Sequence, residues 1–132
     1  MDEKILLADD EAGIRKVLAI SLADSGYEVL TAENGEEAFE IFLQTKPQIV
    51  LTDIKMPGMD GLEVTERIKA RCPWTPVVVI TGYGTEANES KASVLGASGF
   101  VRKPLTRRAI AIAVNNDKVT QRHTALDWRL QR

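Results

Sequence analysis

Five polar residues close short apolar runs: Asp9 and Asp10 after Lys4 to Ala8, Asp53 after Gln48 to Thr52, Thr81 after Val77 to Ile80, and Lys103 after Phe100 to Arg102. If those runs are strands of one open parallel sheet, their carboxyl ends share a rim, which is where such sheets bind ligands. Loop charges kept only for solubility are the bland alternative, but charged groups elsewhere in the sequence fall mainly on helix faces. Two carboxylates about 4 Å apart repel by roughly 4 kcal/mol at an effective dielectric of 20, so three of them demand a counter-charge or raised pKa values. Lys103 supplies one positive charge. The remaining excess suits a hard divalent cation, and Mg²⁺, which keeps several waters and takes few carboxylates, fits better than a fully protein-caged Ca²⁺. A cation shared by Asp53 and an incoming phosphoryl group would neutralise the phosphoryl oxygens and leave the carboxylate free to attack phosphorus, the chemistry of an aspartyl phosphate.

Periodicity along the chain supplies the elements that must position this set. Lys4 to Ala8 reads as a strand, followed by a helix with Ile14, Val17, Leu18, Ser21 and Leu22 on one face and Gly26 at its end. Glu28 to Ala32 is the next strand, and Asn34 with Glu37 gives a capping pattern for a helix burying Ala38, Ile41 and Phe42. After the third strand, Pro57-Gly58 marks a turn, and Asp60 with Glu63 caps a helix that turns Leu62, Thr65 and Ile68 inward. Val77 to Ile80, with three β-branched residues of four, suits the centre of a sheet covered on both faces. Thr85 can cap a fourth helix whose face, Ala87, Lys91, Val94 and Leu95, is thinly apolar. A fifth strand, Phe100 to Arg102, leads to a helix capped by Thr106 with Ala109, Ile110, Ala113 and Val114 inward. Strict alternation of strand and helix predicts an α/β doubly wound, five-stranded parallel sheet flanked by five helices, because parallel neighbours require right-handed crossovers.

The chain of 132 residues is long enough to bury about two-thirds of its extended surface as one domain. Its longest apolar run has four residues, its start is acidic, and neither a membrane span nor a secretory signal is legible, which points to a cytoplasmic protein. Cys72 has no second cysteine with which to form a disulfide or a multi-cysteine zinc site. The net charge of -2 conceals a division: residues 1–101 carry 9 basic and 17 acidic side chains, whereas residues 102–132 carry 8 and 2. An acidic body disfavours direct binding to nucleic acid, and the basic tail reads first as a solvated helix face.

Taken together, Leu7-Ala8-Asp9-Asp10-Glu11, Leu51-Thr52-Asp53-Ile54-Lys55-Met56-Pro57-Gly58-Met59-Asp60-Gly61, Ile80-Thr81-Gly82 and Phe100-Val101-Arg102-Lys103-Pro104 resemble the receiver domain of two-component response regulators. The resemblance spans residues 2–118 and leaves 119–132 as a basic tail, a helix extension or linker. It implies the CheY-like strand order 2-1-3-4-5. It also implies that Asp53 accepts a phosphoryl group from a histidine kinase or phosphotransfer protein, with Mg²⁺ held by Asp10, Asp53 and the Lys55 backbone carbonyl, and with Asp9 acting through water. Thr81 and Lys103 would bind phosphoryl oxygens, the lysine being aimed by a cis Lys103-Pro104 peptide. Phosphorylation adds nearly two negative charges, drawing in Thr81 and Lys103, and Phe100 at the switch position would turn inward. The remodelled face of the fourth helix, fifth strand and fifth helix would then meet an effector domain or partner protein, a phosphorylation-dependent homodimer being one form of that contact. No membrane partner is expected, because no apolar run in the sequence is long enough to cross a bilayer. Lys55 and Tyr83 occupy the positions that tune phosphoryl lifetime, and Tyr83 shielding phosphorus from water leads us to expect slow self-dephosphorylation that Tyr83→Ala accelerates. Unchanged phosphate release in that variant would remove the shielding role.

Two rivals share parts of this chemistry. A Mg²⁺-dependent aspartyl-nucleophile phosphatase or phosphotransferase needs an Asp-x-Asp pair after its first strand and a cap domain, whereas Asp9-Asp10 are adjacent and no segment is long enough for a cap. A flavodoxin-type flavin domain would place phosphate donors, not acids, after the first strand. His123 is a lone histidine in a polar tail, Trp74 belongs at the opposite edge of the sheet from Thr81, and Cys72 is structural. Leu126, Trp128 and Leu130 in the tail predict contact with something beyond the domain, and the length favours a receiver taken from a longer regulator over a stand-alone protein.

Overall fold

The computed structural model describes residues 3–82 and 86–103. Five strands, β1 (Lys4–Ala8), β2 (Glu28–Ala32), β3 (Ile49–Asp53), β4 (Val77–Thr81) and β5 (Gly99–Arg102), alternate with α1 (Ala12–Asp24), α2 (Gly35–Thr45), α3 (Gly61–Arg71) and α4 (Glu86–Val94). All neighbouring strands are parallel, in the order β2-β1-β3-β4-β5. The doubly wound sheet is as expected. The fifth helix, with Thr106 as its cap, falls outside the described residues.

Side-chain alternation divides the core into two layers. Leu6, Ala8, Val50, Val77 and Val79 face α2 and α3, meeting Ala38, Phe42, Val64 and Ile68. Ile5, Leu7, Ile49, Leu51, Val78 and Ile80 face the other way, where α1 contributes Leu18 and Leu22. Each of the leucine, isoleucine, valine and phenylalanine side chains among these is worth roughly 1.5–3 kcal/mol of burial, so the sheet's inner strands are the rigid part of the scaffold.

Several sequence expectations shift. The centre of the sheet is β3, not β4; β4 lies one place out, between β3 and β5, and both strands are covered on both faces. The third and fourth strands each reach their polar residue, so Asp53 and Thr81 are the last residues of strands rather than the first of loops. In α1 the buried stripe is Leu18 and Leu22, four apart, and Val17 sits beside it at 66% exposure. In α3, Leu62 is only half-buried while Val64 is fully buried.

The largest correction concerns α4. Ala87, Lys91 and Val94 point outward, and the inward residue is Ala92, with Asn88, Glu89 and Leu95 half-buried around it. Ala92 packs into the core, and on the neighbouring arc Glu89 accepts two hydrogen bonds from the Arg102 guanidinium on β5, both 2.9 Å. Capping matches expectation in α2 and α3, where the Asn34 and Asp60 side chains accept from the backbone N–H of Glu37 and Glu63. The Thr85 cap lies outside the described residues.

Candidate functional site

The rim formed by the carboxyl ends of β1, β3, β4 and β5 gathers the expected polar residues. Oxygens of Asp9, Asp10 and Asp53 lie within 4.8 Å of one another, with Asp9 and Asp53 buried and Asp10 exposed. Lys103, immediately after β5, donates a hydrogen bond from Nζ to Asp53 Oδ2 at 3.2 Å and lies 3.7 Å from Glu11 Oε1. Thr81 closes β4 in register with Arg102. Its side chain, the whole of Tyr83 and the Lys103-Pro104 peptide fall outside the described parts of the structure.

Local backbone geometry explains how Asp9 comes to be buried. Its N–H donates to Ala32 O of β2, extending the ladder one residue past β1, and its carbonyl accepts from Arg15 Nη1 at 2.7 Å. Asp9 Oδ1 accepts from the Glu11 N–H at 2.9 Å, the turn that opens α1. Asp9 Oδ2, by contrast, is buried and has no hydrogen-bond partner among the described residues. A buried carboxylate oxygen without a donor costs on the order of 1–3 kcal/mol. A cation beside it supplies what the protein does not, so the donor set fits a divalent metal: three carboxylates, one lone pair unspent, and an exposed side at Asp10 for water ligands.

The electrostatics follow from burial. Desolvation raises the Asp9 pKa to about 6 against the lowering effect of the Glu11 N–H, with Asp53 adding repulsion. Desolvation also raises Asp53, although Lys103, by charge and hydrogen bond, and the Lys55 N–H oppose it. Burial lowers Lys103, but attraction to Asp53 outweighs that and its pKa is raised, so the ammonium stays charged. One cation therefore faces an acid cluster that it does not fully neutralise.

The other expected residues are placed as follows. Phe100 is on β5 at 37% exposure, beside Glu89, Val101 and Arg102. Lys55 is exposed in the loop after Asp53 and, with Asp10, Asp60, Asn88 and Lys91, lines an open cleft of about 560 Å³ next to the acid cluster. Sequence reasoning assigned no task to Glu11, Arg15 or Glu36. Glu11 was legible only as the neighbour of two acids, and the bond that marks Glu36 joins residues 23 positions apart.

A carboxylate-rimmed sheet of order 2-1-3-4-5 defines the CheY-like class of α/β domains. The chain belongs to the response regulator receiver domain family, whose pattern it matches over residues 5–115. It is 36% identical over 113 residues to the transcriptional regulatory protein ResD of Bacillus subtilis, covering 86% of this chain and 47% of that protein. It is 37% identical over 109 residues to the phosphate regulon transcriptional regulatory protein PhoB of Pseudomonas aeruginosa, covering 80% and 47%. The chain thus spans about half the length of these relatives. Among solved structures, a response regulator receiver domain protein from Clostridium thermocellum superposes with a TM-score of 0.88 at 35% identity, covering 92% of this chain and 98% of that one. Chemotaxis protein CheY4 of Vibrio cholerae gives 0.83 at 26% identity, covering 88% and 98%. The family match sets aside the phosphatase and flavodoxin alternatives. Among the described residues no helix is long and apolar enough to cross a membrane.

Proposed function

We propose that this receiver takes up a phosphoryl group on Asp53 from the phosphohistidine of a histidine kinase or phosphotransfer protein and so works as a cytoplasmic signalling switch. The observation that carries this reading is the pairing of a buried Asp53 with Lys103 at 3.2 Å, beside a buried Asp9 oxygen that has no donor among the described residues. In the transfer, an Asp53 carboxylate oxygen bonds to phosphorus, the phosphorus–nitrogen bond of the donor breaks, and the imidazole leaves with the electron pair. Asp9, Asp10, Asp53 and the Lys55 carbonyl would hold Mg²⁺, which when bound offsets charge on the phosphoryl oxygens. Lys103, which donates to Asp53 at 3.2 Å, would follow the new charge, and Thr81 would contribute its hydroxyl. The domain's catalysis is confined to its own phosphorylation and dephosphorylation, with Lys55 and Tyr83 setting the lifetime.

The output follows from the added charge. Drawing Thr81 toward Asp53 opens room for Phe100, whose partial exposure on β5 leaves it free to move, and the face of α4, β5 and the segment after it changes. Two states pre-exist and phosphorylation shifts their ratio. That face meets an effector domain, a partner protein or a second receiver. Residues 2–118 form the phosphoacceptor unit and 119–132 a basic extension from it. Incubation with Mg²⁺ and acetyl phosphate should add one phosphoryl group to the intact mass. Chelation of the metal or Asp53→Asn should abolish the gain; an undiminished gain in Asp53→Asn would overturn the assignment.

A further inference from the structure

The loop from β3 to α3 is constrained more tightly than any turn of the site needs for chain reversal alone. Ile54, Met56 and Met59 anchor it in the core, and the Gly61 N–H closes it onto Ile54 O at 2.8 Å. A methyl group on Gly61 would overlap the Asp53 carbonyl, and one on Gly35 would overlap the Met59 carbonyl, so both glycines are there for close backbone approach. Gly58 has φ +71 and lies under the Glu36 carboxylate, 2.6 Å from where a Cβ would stand. The Met59 N–H donates to Glu36 Oε1 at 2.9 Å across 23 residues of sequence. The first turn of α2, which belongs to a different strand-helix unit, therefore grips the loop that carries Lys55.

We propose that Glu36 is a positioning residue for the reaction at Asp53: by accepting from the Met59 N–H it fixes residues 54–60, and through them the Lys55 backbone beside the acceptor carboxylate. The inference rests on the phosphoacceptor reading above. An acid in the first turn of α2 also favours the helix dipole, but Glu37 in the same turn serves that purpose, and the dipole requires no partner. The carboxylate of Glu36 is instead turned onto another segment's backbone.

Side-chain length and charge separate the two explanations. Glu36→Gln keeps an acceptor of the same reach without the charge; Glu36→Asp keeps the charge but is one methylene short. In metal-free protein, amide hydrogen exchange at Met59 should accelerate in Glu36→Asp and Glu36→Ala and stay near wild type in Glu36→Gln. Mg²⁺ affinity, followed by NMR titration, should fall about tenfold in the first two variants, as for loss of an outer-shell partner, and change little in Glu36→Gln. Glu40→Ala, an exposed acid on the same helix, should match wild type in both readouts. Wild-type exchange and Mg²⁺ affinity in Glu36→Ala, or a loss in Glu36→Gln equal to that in Glu36→Ala, would overturn the positioning role. Wild-type protein that binds no Mg²⁺ would instead refute the metal reading, while the Met59 exchange pattern still decides whether the grip exists.

Discussion

Asp9 carries the sharpest tension among the described residues, a fully buried carboxylate with one oxygen bonded to the Glu11 N–H and the other with no hydrogen-bond partner among them. Its folded pKa of about 6 lies above the ordinary 3.8, so between those values the native state holds the proton more firmly than the unfolded chain. Without metal, its contribution to stability therefore declines as pH rises from about 4 through about 6 and levels off above. Asp9→Asn removes that decline. In chelator-containing buffer the variant should be more stable than wild type by roughly 3 kcal/mol at neutral pH, with the gap closing toward pH 4. Urea denaturation at several pH values measures this; a gap independent of pH would place the cost somewhere other than Asp9 ionisation. Lys103 does not remove the tension, because its Nζ bonds Asp53 Oδ2 and its second near partner is Glu11.

Among the elements, α2 both supports the fold and reaches the site. Its C-terminal end is closed by Lys46 in a left-handed conformation, φ 47 and ψ 63, where a glycine is usual. Lys46→Gly should stabilise the domain by about 0.5–1 kcal/mol through relief of that strain, read from the urea midpoint; an unchanged or lower midpoint would show that the Lys46 side chain contributes more than its backbone costs. Much of the architecture was legible because each strand is apolar and short and each turn is punctuated: β1 and β2 fall on the residues read from the sequence, and Asn34 and Asp60 cap as read. Helix faces were less legible. Periodicity defines an arc but not the neighbours that meet it, so Val17 fell outside the buried arc of α1, and in α4 Ala92 is buried and Glu89 meets Arg102 where an apolar count expected Val94. The long-range bond from Glu36 to Met59 leaves no local trace in the sequence at all.

At the scale of the whole molecule, the sheet is a stiff plate whose carboxyl edge carries the charge. The inner strands are buried on both faces, whereas among the described side chains of α4 only Ala92 is fully buried. A charge change at Asp53 would be read out most readily by a thinly packed element such as α4. The near-neutral total charge also resolves into parts: an acidic body whose rim holds the Asp9, Asp10 and Asp53 cluster, and a basic stretch beginning at Arg102. The central claim is that, of those three carboxylates, phosphoryl transfer ends on Asp53. Peptide mapping of protein treated with Mg²⁺ and acetyl phosphate, under conditions that preserve or reductively trap acyl phosphates, tests it most directly. The label should fall on Asp53 alone; label on Asp9, Asp10 or a hydroxyl residue, or none in the presence of Mg²⁺, would contradict the account.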